Sequence, residues 1–100
     1  MIRIHIVRKN NYIKQITLKG HADYEDYGKD VVCAAVSATY LCTINGVLSI
    51  DKDSIEVTST NDIQMIDVLK EDDIIEKLLC NMERCLMSLE QEYPNNIKIK

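Results

Sequence analysis

Early in the chain, Gly20-His21-Ala22 is followed by a short polar loop and then by Gly28-Lys29-Asp30-Val31-Val32-Cys33-Ala34-Ala35-Val36-Ser37. An imidazole, a carboxylate and a thiol are thereby brought to one loop and the start of one helix. Those are the groups that a thiol nucleophile with a general base requires. Asp30 is placed to cap the helix, which puts Cys33 at its third position, where free backbone N–H groups and the positive end of the dipole favour a thiolate. The effect is small. A helix terminus contributes roughly 0.3–1 kcal/mol, which lowers a thiol pKa from about 8.5 by less than about one unit. A base is therefore needed, and His21 is the candidate. On this reading Cys33 attacks, His21 acts first as base and then as acid, and the N–H groups around Cys33 and Ala34 hold the oxyanion.

Each of these residues also has a structural role to weigh. Cys33 suits an inert core thiol in an apolar helix, and Asp30 caps the helix, orients His21, or does both. Ser37 lies one turn after Cys33, where it either lines the site beside Ala34 or bonds back to a helix carbonyl. In the loop of residues 22–29, Tyr24 and Tyr27 either grip a substrate or tie the loop down. Gly20 and Gly28 bracket that polar, mostly charged segment from Ala22 onward, so it is expected to move when no substrate is bound. Cys42, Cys80 and Cys85 fall in helical stretches and read as packing residues. The four cysteines form no C-x-x-C pair and are expected as free thiols in a reducing compartment. His5 has no evident partner, and no histidine and cysteine spacing suits zinc, so neither a metal nor a cofactor is expected.

Positioning these groups requires a scaffold, and its elements are legible. Ile2, Ile4 and Ile6 alternate with Arg3 and His5. Ile16 and Leu18 then alternate with Thr17 and Lys19 over residues 12–19, which predicts two strands turned at Asn10-Asn11. Residues 31–48 are apolar on nearly every side, which predicts a buried helix ending near Gly46. Residues 55–59 and 63–69 flank the turn Thr60-Asn61-Asp62 and predict a second hairpin. Ile75, Leu78, Leu79, Met82, Leu86, Leu89 and Tyr93 fall at helical spacing, with Asp73 and Glu76 resembling a capping box and Pro94 as the stop. Residues 97–100 suit a short last strand. The order β-β-α-β-β-α with that added strand predicts an α+β, two-layer fold, a mainly antiparallel sheet with both helices on one face.

Bulk properties restrict the remaining choices. A chain of 100 residues with 46% hydrophobic residues, 3 Gly and 1 Pro fits a single domain over residues 1–100 and not a disordered or fibrous chain. A formal charge of −4 argues against direct nucleic-acid binding, which depends on basic side chains, and suits a basic partner. The alternating amino terminus does not look like a signal segment, and no apolar run approaches a membrane span, so a cytoplasmic protein is expected. The helix over residues 31–48 is apolar around more of its circumference than one small sheet covers, which predicts a homodimer.

The G-H-A joined to Tyr27-Gly28-Lys29-Asp30-Val31-Val32-Cys33-Ala34-Ala35-Val36-Ser37-Ala38 resembles the signature of the ribosomal-processing cysteine protease family, Prp. The order of elements and the late Glu92-Tyr93-Pro94 are similar as well. The resemblance implies a small endopeptidase that removes a short N-terminal extension from a large-subunit ribosomal protein precursor. It implies His21 and Cys33 as the catalytic pair, a homodimer, and a mobile loop between the two. Asp30 and Ser37 match the pattern with roles left open. Two other classes compete: a non-catalytic ribosome-associated binding module with a structural Cys33, and a thiol acyl-transfer or redox enzyme. The latter needs a resolving cysteine, and Cys42 lies more than two helical turns from Cys33.

Overall fold

A computed structural model describes residues 1–26 and 30–100. Five strands and two helices run in the order β1 (Ile2–Lys9), β2 (Tyr12–Lys19), α1 (Val31–Ile50), β3 (Ile55–Ser59), β4 (Ile63–Val68), α2 (Asp73–Glu92) and β5 (Ile97–Ile99). The sheet order is β3-β4-β2-β1-β5. Every neighbouring pair is antiparallel except β1 with β5, which is parallel because α2 carries the chain back across the sheet. The fold is the expected α+β arrangement, with the last strand in place at the sheet edge.

Local chemistry explains the first hairpin. Asn10 and Asn11 both take positive φ, 56° and 65°, the left-handed pair whose twist matches that of the strands it joins. Alternation in β2 is broken once, since Val7 pairs with Gln15 and Arg8 with Ile13, leaving Lys14 as the extra residue of a bulge. The Ile13 N–H beside the bulge donates to Glu76 of α2 at 2.7 Å. Glu76 therefore serves the sheet and not a capping box. The cap of α2 is Asp72, one residue earlier than expected, whose carboxylate accepts from the N–H groups of Ile74 and Ile75.

Ile4, Ile13, Ile16, Ile66, Leu79, Met82, Leu86 and Ile97 are fully buried between the sheet and the helices. α2 packs on α1 and lies against β2 and β5. α1 departs from the sequence-based expectation in three ways. It continues past Gly46 to Ile50, because Gly46 stays in helical backbone and Val47, wholly buried, anchors the next turn. At 20 residues it is long and apolar enough to cross a membrane by length and composition, where the sequence reading saw no such run. It is also not buried all round. Val32, Val36, Tyr40, Ile44 and Val47 form one inward stripe, while Val31, Leu41, Leu48 and Ile50 stand exposed. One sheet covers one face of a helix, so the remaining apolar side chains have no cover among the described residues. Cys42 and Cys85 are likewise exposed and are not the packing residues expected, while Cys80 is half-buried; all four cysteines are free.

Candidate active site

Three segments converge at one end of the sheet. β2 ends at Gly20, whose φ is +92° and where an added Cβ would meet the Met1 carbonyl oxygen at 2.7 Å. Only glycine allows that approach, and it turns His21 away from the sheet. Lys19 pairs with Ile63, so the β3–β4 turn sits beside this exit, and the Gly20 N–H donates to the Asp62 backbone carbonyl at 3.0 Å. The start of α1 supplies Cys33. Gly20, His21, Asp30, Cys33, Ala34, Ser37 and Asp62 all line one open cavity of about 690 Å³, with Ile2, Leu18 and Val36 giving it an apolar wall.

Asp30 caps α1 as its position suggested. One carboxylate oxygen accepts from the N–H groups of Val32 and Cys33 at 3.0 and 2.9 Å, and the other accepts from Tyr24 N–H at 3.0 Å. Burial alone would raise this carboxyl, but the backbone bonds from Cys33, Tyr24 and Glu25 outweigh it and hold it below its usual range. Those same bonds revise the expected oxyanion donors. The Cys33 N–H is taken by the Asp30 side chain, and the Ala34 N–H by the Asp30 carbonyl at 3.1 Å.

The N–H that does reach the sulfur is that of Ala22, 3.2 Å from Cys33 Sγ. Burial pushes the half-buried Cys33 thiol up, the Ala22 N–H pulls it down, and the Asp30 and Asp23 carboxylates push it up again; the net direction is up. The sequence reading expected a helix start that favours the thiolate. Burial of the sulfur, with the negative charge of the residue that caps the helix added to it, outweighs that benefit.

Among the described residues, the His21 ring makes its polar contact with Asp62 and not with Cys33; Nε2 stands 3.4 Å from Asp62 Oδ1. Asp62 was visible in the sequence only as a turn residue. Its place beside His21 follows from the pairing of β2 with β4, a contact between segments far apart in the chain.

The loop is tethered at its described start. Ala22 is buried and its carbonyl accepts from Asn96 Nδ2 at 3.0 Å, while Asp23 pairs with the N-terminal ammonium at 3.0 Å. The Tyr24 ring meets Tyr93 edge-on, with centroids 5.4 Å apart, and does not line the cavity. These tethers come from both chain ends, which the loop's own composition does not reveal. Tyr27 and Gly28, the other expected substrate-loop residues, lie outside the described residues.

A family model for the cysteine protease Prp matches residues 1–98. The chain belongs to the cysteine protease Prp family. A ribosomal processing cysteine protease Prp of Staphylococcus aureus is 27% identical over 105 residues, an alignment covering 99% of this chain and 97% of that protein. The crystal structure of an essential ribosomal processing protease Prp from S. aureus with a covalently linked product peptide matches with a TM-score of 0.94 and 26% identity, covering 100% of this chain and 98% of that one. The S. aureus protease with a substrate peptide matches at a TM-score of 0.88 and 25% identity over 100% of this chain and 98% of that one. Prp membership makes the chain a cysteine protease and decides against a binding module without catalysis.

Proposed function

We propose that this protein is the endopeptidase that removes a short N-terminal extension from a large-subunit ribosomal protein, with Cys33 as nucleophile and His21 as general base and then acid. The observation that carries the reading is that both residues contribute to one open cavity, at the end of β2 and the first turn of α1. Its size suits a peptide segment, and the S. aureus relatives, crystallised with a substrate peptide and with a covalently linked product peptide, support a peptide in the corresponding place here.

Chemistry follows from the groups present. His21 takes the Cys33 proton, Sγ attacks the scissile carbonyl, and the imidazolium returns the proton to the leaving amine; water then hydrolyses the thioester with His21 again as base. His21 meets Asp62 and not Cys33 among the described contacts, so this chemistry requires its ring to turn toward the sulfur. Exclusion of water by the peptide makes that pairing stronger. The Ala22 N–H beside Sγ steadies the thiolate before attack. Asp30 holds the first turn of α1 and so fixes where the sulfur stands; Ser37 and Ala34 form the wall beyond it. The net charge of −4 suits a basic ribosomal substrate and not direct contact with RNA.

The active unit is a homodimer. Val31, Ala38, Leu41 and Leu48 fall on one side of α1 at helical spacing, away from the buried stripe, and a second copy is the simplest cover for them.

Cleavage of a peptide spanning the extension junction tests the assignment. The wild-type protein cuts it and loses activity with iodoacetamide; Cys33→Ser and His21→Ala do not cut it, and Cys42→Ala, Cys80→Ala and Cys85→Ala do. Full cleavage by Cys33→Ser protein would overturn the reading.

A further inference from the structure

We propose that Asp62 is a positioning residue for His21, holding the imidazole with its proton on Nε2 so that Nδ1 remains free to accept the Cys33 proton. The proposal rests on His21 being the base. Three observations carry it. The pairing of Lys19 with Ile63 places the β3–β4 turn beside the exit of β2. The bond from Gly20 N–H to the Asp62 carbonyl, at 3.0 Å, then fixes residue 62 against the residue just before His21, through the backbone alone. Its carboxylate is thus delivered to the ring, with Oδ1 3.4 Å from Nε2.

The two groups stand within ion-pair reach without forming a hydrogen bond. Catalytic contacts in unliganded enzymes are often long and tighten when substrate binds. Of the other carboxylates that line the cavity, Asp30 is held by backbone N–H groups and Asp23 by the N-terminal ammonium, while Glu25 accepts only from the neighbouring Asp26 N–H at 3.4 Å. Among the described residues, the Asp62 side chain meets His21 alone. A histidine's tautomer is set by the partner of its other nitrogen, so an anionic acceptor at Nε2 selects the form that is basic at Nδ1. Both side chains are largely exposed, 61% for His21 and 74% for Asp62, so solvent screens the contact and its effect is modest.

The test uses the full chain and the junction peptide. Asp62→Ala is expected to lower kcat about tenfold, roughly 1.4 kcal/mol of barrier, with KM changed by less than about twofold. The fold should survive, because the bond to Gly20 uses only the backbone of residue 62. Ring 15N spectra, with His21 assigned by comparison with His21→Ala protein, should show that Asp62→Ala loses the preference for Nε2–H. Asp62→Asn keeps an acceptor oxygen without the charge and should recover part of both readouts. An unchanged or raised kcat in Asp62→Ala, with His21→Ala inactive, overturns the positioning role and leaves His21 as the base. Turnover by His21→Ala protein overturns both.

Discussion

Asp30 makes two demands on Cys33 that pull in opposite directions. Its carboxylate orders the first turn of α1 by accepting two N–H bonds, and its charge opposes ionisation of the thiol. The two effects separate by mutation. Asp30→Ala should destabilise the protein by about 1 kcal/mol, while Asp30→Asn, an equally good cap, should cost much less in chemical denaturation. Burial first, then the Asp30 and Asp23 charges, push the Cys33 thiol up. Its alkylation should therefore accelerate only as pH rises past the ordinary thiol range of about 8.5, measured with iodoacetamide in protein lacking the other three cysteines. Removing the charge in Asp30→Asn should move that midpoint to lower pH. A midpoint well below 7 in the substrate-free protein would contradict the geometry around the sulfur.

At the scale of elements, α1 carries two local imperfections that the fold tolerates. Gly46 sits within the helix, and no atom lies within 4 Å of where its Cβ would be. Gly46→Ala should then raise stability by about 0.5–1 kcal/mol, seen as a higher Tm. Tyr40 is buried with its hydroxyl unpaired among the described residues, and burial also pushes its pKa up. Tyr40→Phe removes a buried polar atom without leaving a void, so stability should be unchanged or higher by up to about 1 kcal/mol; a clear loss would reveal a partner for that hydroxyl.

For the whole molecule, the radius of gyration of 13.2 Å is what a compact chain of this length has, yet one side of α1 remains apolar and uncovered. Leu41 is 56% exposed at the middle of that side. Sedimentation should give a dimer for the wild-type protein at micromolar concentration and a monomer for Leu41→Lys, whose buried ammonium would cost far more than the contact returns. A wild-type monomer would mean that the side is covered by something other than a second copy.

The sequence by itself determined whatever rests on neighbours along the chain. Alternation at Ile2, Ile4 and Ile6 made a strand, Asn10-Asn11 made a left-handed turn, and Asp30 three residues before Cys33 made a capped helix start, because strand period, turn backbone and capping all act over a few residues. The spacing of His21, Asp30 and Cys33 likewise carried the family. The tertiary structure decided what needs partners from afar. Glu76 left its expected capping box because the bulge in β2 offered an N–H, and α1 outran Gly46 because Val47 found a place in the core. Asn96 and the N-terminal ammonium hold Ala22 and Asp23, the start of a loop whose own composition names no partner. Asp62 reached His21 only because β4 pairs with β2. Such contacts follow from how strands are ordered across the sheet, and local periodicity holds no information about which distant segment arrives beside a given side chain.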